Sequence, residues 1–152
     1  MSISLDELKG RSVYIDTNIF IYFLDGQEPF LSIVYPFLES LLNGEIIGYT
    51  GDAVVAETMV QPYKLGNLAM IERFKAFFAQ DDFLTVLNHD ANAFDLAAQL
   101  SGTQKMKLVD SLHMATALQA GCDFLITHQK GIKLADGIKV VQLSGIAAPV
   151  SH

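Results

Sequence analysis

The apolar positions fall into two patterns, short continuous runs and longer stretches in which they recur three and four residues apart. The run Ser12-Val13-Tyr14-Ile15 reads as a buried strand that stops at Asp16-Thr17-Asn18. Residues 19–24 are apolar again and end at Asp25-Gly26, so a buried helix opens directly off that strand. Residues 29–42 carry Leu31, Val34, Tyr35, Leu38, Leu41 and Leu42 at helical spacing, with Pro36 expected to split the segment. A second strand is expected over 45–50, a helix over 53–60, and a loop around Pro62 and Gly66. The 67–80 segment presents Leu68, Ile71, Phe74, Phe77 and Phe78 as an apolar stripe, which suits core or partner contact. A third strand follows at 83–87, then a helix at 90–100 and a turn at Ser101-Gly102-Thr103. The next helix runs from Asp110 to Ala120 and stops at Gly121 in the C′ position. Strands at 123–127 and 138–143 and a tail over 145–152 complete the chain.

Strands alternating with helices imply right-handed crossovers and a mainly parallel sheet of about five strands covered on both faces. The expected fold is a three-layer α/β/α domain. The 152 residues suffice for one domain with its own core, and no repeat or linker divides them.

Composition changes this picture in three ways. Hydrophobic residues make up 51% of the chain and mean hydropathy is +0.31, which leaves apolar surface for a second copy or a docked protein. No uncharged run reaches the roughly 18 apolar residues of a membrane span, and Met1 to Gly10 has no apolar signal core, so a cytoplasmic protein is expected. The single cysteine, Cys122, forms no internal disulfide and reads as a buried structural thiol. A net charge of −7 opposes long-range attraction to nucleic acid, so any phosphate track must be local.

Ligands of open parallel sheets bind outside the carboxyl ends of the strands, and Asp16 falls at such an end. Asp16 has two readings, a helix cap and a functional acid. Glu57 and Asp110 also sit near element ends among apolar neighbours. Carboxylates brought together repel, and such a cluster holds either a proton or a cation. An oxygen-only set suits Mg²⁺ or Mn²⁺, and no zinc-type Cys/His spacing is present. A hard cation at an acidic edge suits phosphoryl chemistry. Lys105, Lys107, Lys130 and Lys133 place four of the ten basic residues in the nearest loops, either as a phosphate track or as ordinary solvated side chains. His113 reads as a packed histidine and His128 as a loop residue beside the site; neither is assigned a role.

Asp16-Thr17-Asn18, Val54-Val55-Ala56-Glu57, and Leu108-Val109-Asp110-Ser111-Leu112-His113-Met114-Ala115 before Asp123-Phe124-Leu125-Ile126-Thr127 together resemble the PIN-domain nucleases over nearly the whole chain. Within them the chain looks most like the small VapC-type toxin ribonucleases. The resemblance implies Asp16, Glu57 and Asp110 as metal-binding catalytic acids, with Thr17, Asn18, Thr127 and Gln129 in support. It also implies Mg²⁺- or Mn²⁺-dependent hydrolysis of RNA phosphodiesters, a homodimer, and an antitoxin that blocks the active-site groove. One position departs from the family: Thr127-His128-Gln129 carries Gln129 where a fourth acid is usual. A glutamine offers a carbonyl oxygen but no charge. Two other readings compete, a degenerate PIN module that binds RNA or protein without cutting, and a phosphoacceptor domain centred on Asp16, which lacks the accompanying acidic pair.

Overall fold

A computed structural model describes residues 3–26, 28–80, 82–129, 132 and 137–147. Five strands build one parallel sheet: β2 (Ser12–Ile15), β3 (Ile47–Gly51), β4 (Leu84–Leu87), β5 (Phe124–Thr127) and β6 (Lys139–Gln142), in the order β4-β3-β2-β5-β6. Because β2 lies at the centre, every residue of Val13-Tyr14-Ile15 is buried, and pairing runs Tyr14 to Tyr49 on one side and Tyr14 to Leu125 on the other. The order reverses about β2, so the chain crosses over to opposite sides of it and opens a crevice at its carboxyl end.

Helices fill the crossovers: α2 (Thr17–Asp25), α3 (Phe30–Leu42), α4 (Asp52–Leu65), α5 (Leu68–Phe78), α6 (Ala91–Gln104) and α7 (Leu108–Gln119). This is the expected three-layer α/β/α arrangement. Two prolines and one glycine do less than local chemistry predicts. Pro36 lies inside an unbroken α3, whose Val34, Phe37, Leu38 and Leu41 are all buried across the proline, so core burial outweighs one lost backbone bond. Likewise α4 continues past Val60 through Pro62 to Gly66, which caps it at φ 63°. Helix α6 runs through Ser101-Gly102-Thr103, where the Thr103 hydroxyl donates back to the Gln99 carbonyl.

The chain ends depart from expectation as well. A two-residue strand β1 (Ile3–Ser4) leads into a one-turn helix α1 (Leu5–Leu8), capped by the Ser4 hydroxyl. Strand β1 pairs in parallel with β7 (Ile146–Ala147), which follows a 3₁₀ turn at Leu143–Gly145, so the expected tail begins as structure; residues 148–152 lie outside the described residues. Cys122 is buried, and burial pushes its thiol pKa up to about 12, consistent with an inert structural role. Phe77 and Phe78 of the α5 stripe pack edge-on against Phe20 of α2, which ties that helix to the start of the crevice. Among the described residues no helix is long and apolar enough to cross a membrane.

Candidate active site

Backbone pairing ends at Ile15, and Asp16 is the first residue beyond β2, with its own N–H donating to the Ile126 carbonyl of β5. Its side chain is 3% exposed. Both carboxylate oxygens are held: Oδ1 accepts from the Thr17 N–H at 2.8 Å, and Oδ2 accepts from the Thr127 hydroxyl at 2.7 Å. Asp16 therefore caps α2 and is at the same time a buried acid at the carboxyl edge of the sheet. Thr127 in turn accepts from the Gln129 N–H at 2.9 Å, which anchors the loop after β5 to the carboxylate.

Glu57 comes from the second turn of α4 and is half exposed. The Thr17 hydroxyl donates to its Oε1 at 2.9 Å, and His113 Nε2 lies 2.9 Å from the same oxygen. Burial pushes the Glu57 carboxyl up, but the bonds from His113 and Thr17 outweigh it and its pKa lies below the usual carboxylate value. Asp110, in the first turn of α7, behaves in the opposite way. Burial pushes its pKa up, the charge of Asp16 adds to the rise, and Lys107 opposes it. That coupling places Asp110 in the field of Asp16 and Glu57 without a hydrogen bond to either.

His113 joins the acids from below. It is 1% exposed; its Nε2 faces Glu57 and lies 3.9 Å from Asp16 Oδ1, while its Nδ1 is 2.9 Å from the Tyr14 hydroxyl. His89, from the segment between β4 and α6, packs beside it with ring centroids 5.8 Å apart. His113 is buried, as its apolar neighbours predict, but it also contacts Glu57, a contact not assigned from the sequence. Its position three residues after Asp110 was the available signal, since i and i+3 share a helix face. Tyr14 carried a second one: a hydroxyl on a central strand buried on both faces must find a polar partner.

The remaining expected residues spread further. Asn18 is half-buried on the first turn of α2. Gln129 is exposed and meets the site through its backbone. Lys107 is exposed at the N-cap of α7, close enough for its charge to act on Asp110, and Lys105 is exposed at the C-cap of α6. Lys130 and Lys133 lie outside the described residues. His128 packs edge-on against the stacked Tyr22 and Phe30 rings.

The oxygen donors brought together at the crevice are the carboxylates of Asp16, Glu57 and Asp110 and the hydroxyls of Thr17 and Thr127, chemistry that suits Mg²⁺ or Mn²⁺. Among the described residues no three His, Cys, Asp or Glu side chains form a ready-made cage for an ion. The donor chemistry fits such an ion: burial is the main cause of the raised Asp110 pKa and the charge of Asp16 adds to it, and a cation at this edge would relieve part of that rise.

Comparison with known proteins gives the family. The PIN domain model matches residues 13–138. A toxin–antitoxin complex from Klebsiella pneumoniae contains a chain 21% identical, with TM-score 0.66, covering 86% of this chain and 97% of that one. FitAcB from Neisseria gonorrhoeae is 21% identical at TM-score 0.66, with 87% and 98% covered. VapC20 of Mycobacterium tuberculosis, a toxin that cleaves the sarcin–ricin loop, is 13% identical at TM-score 0.61, with 74% and 86% covered. A search of the curated proteins returns no match. With the family model matching residues 13–138, most of the chain, this protein belongs to the PIN domain family.

Proposed function

We propose that the protein is a Mg²⁺- or Mn²⁺-dependent endoribonuclease, and that Asp16, Glu57 and Asp110 hold the cation. The observation that carries this reading is the gathering of three acids, Asp16 just beyond β2, Glu57 from α4 and Asp110 from α7, at the carboxyl edge of a parallel sheet, where burial and the charge of Asp16 raise the Asp110 pKa. When bound, a divalent ion supplies charge for a phosphodiester oxygen and activation of water. The chain's own part is placement. Thr127 and the Thr17 N–H hold Asp16 against rotation, Thr17 and His113 hold Glu57, and Lys105 and Lys107 offer positive charge to the phosphate backbone on the α6–α7 side. Thr127 and Gln129 support the site from the loop after β5, and Asn18 from α2.

The biological setting we infer is that of a toxin restrained by an antitoxin, in a cytoplasmic homodimer. The likeness to a chain of a toxin–antitoxin complex supports it, as do exposed apolar side chains on α4 and α5 (Val60, Tyr63, Leu65, Leu68), which favour association. Light scattering on the purified chain reads the dimer directly.

Cleavage of a structured RNA pool with Mn²⁺, Mg²⁺ or EDTA, beside Asp16→Asn, tests the enzyme. Cutting that needs metal and is lost in Asp16→Asn supports it; metal-independent cutting, or cutting by the variant, refutes it. Gln129 motivates a second reading, a module that binds RNA or protein without cleavage. RNA bound but uncut by the wild type, and cut by Gln129→Asp, would favour that alternative.

A further inference from the structure

Glu57 uses its two oxygens unequally. Oε1 takes both contacts, from the Thr17 hydroxyl and from His113 Nε2, and Oε2 has no hydrogen-bond partner among the described residues. Which nitrogen of His113 carries hydrogen follows from the other side of the ring. The Tyr14 hydroxyl is fully buried and has no partner among the described residues except His113 Nδ1. A phenol keeps its proton at neutral pH, and a buried donor without an acceptor is costly, so Tyr14 donates to Nδ1. That leaves Nδ1 as a lone pair and puts the ring hydrogen on Nε2, facing Glu57.

We propose that Tyr14 and His113 are positioning residues: Tyr14 selects the Nε2–H tautomer of His113, which with Thr17 pins Oε1 of Glu57 and leaves Oε2 as the oxygen presented to a divalent cation. The inference rests on the reading of Glu57 as a cation ligand. It extends to residues that touch neither ion nor substrate the rule that hydrogen bonds behind a ligand orient it. The surrounding backbone is built to admit the arrangement. A Cβ at Gly51, the last residue of β3, would collide with both the Tyr14 hydroxyl and the His89 ring, so the close approach of these side chains requires glycine there. His89 supplies an internal contrast, because its Nε2 accepts from the Ala53 N–H at 3.2 Å and its ring hydrogen must therefore sit on Nδ1, 2.6 Å from the Thr116 hydroxyl. Two adjacent histidines thus carry opposite tautomers.

The test combines ¹⁵N imidazole NMR on the metal-free full chain at neutral pH with Mn²⁺ titration calorimetry. In the wild type, His113 shows hydrogen on Nε2 and a bare Nδ1, and His89 shows the reverse. Tyr14→Phe shifts the His113 pattern away from pure Nε2–H and weakens Mn²⁺ binding a few-fold. His113→Leu weakens it by about tenfold or more, and His113→Gln, whose amide N–H can reach toward Glu57, recovers part of the loss. Hydrogen on Nδ1 of His113 in the wild type, alone or together with Nε2, overturns the proposal and needs no variant to fold. Equal Mn²⁺ affinity in wild type and His113→Leu overturns it while the cation reading stands. A wild type that binds no Mn²⁺ overturns both, and is told apart from the previous result by the absence of any binding heat.

Discussion

Asp16 and Asp123 stand at opposite ends of two paired central strands, and their surroundings are opposite in kind. Asp123 precedes β5 at the amino edge of the sheet, where it accepts from the Ser12 N–H at 3.1 Å and the Ser12 hydroxyl at 3.2 Å, with Arg11 4.0 Å away. It is partly exposed, and a cleft lined by Arg11, Asp123, Phe124, Gly137, Ile138 and Lys139 opens beside it. Asp16 is buried at the carboxyl edge among two further acids, with hydroxyls and a histidine in place of a permanent cation. One carboxylate is held by hydrogen bonds within its own fold and ties two strands together. The other shares its edge with two further carboxylates, one of them buried enough for its pKa to be raised, the arrangement expected where a ligand completes the electrostatics.

The contrast breaks most sharply under substitution. Asp16→Asn is expected to drop metal-dependent RNA cleavage to the level seen in EDTA while the circular dichroism spectrum is kept. Asp123→Ala should leave cleavage as in the wild type. Returning the fourth acid sharpens the same edge: Gln129→Asp should tighten Mn²⁺ binding several-fold, read by calorimetry. At the other edge, Asp123→Ala should cost about 1 kcal/mol in urea denaturation, since it removes two partly buried hydrogen bonds and one exposed ion pair.

Most of the fold was legible because strand burial and helix periodicity are local signals. Each of the five strands of the main sheet lies where an apolar run predicts it, and Asp16 follows the central one. Pro36, Pro62 and Gly102 look like breaks along the chain because their backbone cost is local, whereas the burial that overrides it is tertiary. The short pairing of β1 with β7 joins residues more than 140 apart, a contact no periodicity reports. The same limit applies to the site. Acids at element ends are visible along the chain, but the bonds from Tyr14 to His113 and from His113 to Glu57 span 99 and 56 residues. Their residue types fit a bland core as well as they fit a site.

Smaller effects follow from the opposite shifts of Asp110 and Glu57. The folded pKa of Asp110 is raised, so its ionisation weakens the metal-free fold progressively as pH climbs past the ordinary carboxylate range. Asp110→Asn should therefore raise the melting temperature at neutral pH by about 1–3 °C without metal. With Mn²⁺ the order should reverse, because only the wild type gains from binding. Glu57 has the depressed folded pKa, so its contribution is fully present above the unfolded carboxylate value and is lost as pH falls through the folded one. Glu57→Gln should make the acid limb of a melting-temperature profile slightly shallower, the smallest effect expected here.

The most direct measurement is anomalous scattering from crystals of the protein soaked in Mn²⁺. A peak about 2.0–2.3 Å from carboxylate oxygens of Asp16 and Asp110, absent in Asp16→Asn, is the predicted result. A peak only at the amino edge beside Asp123, or none at Mn²⁺ concentrations that support RNA cleavage, would contradict the account.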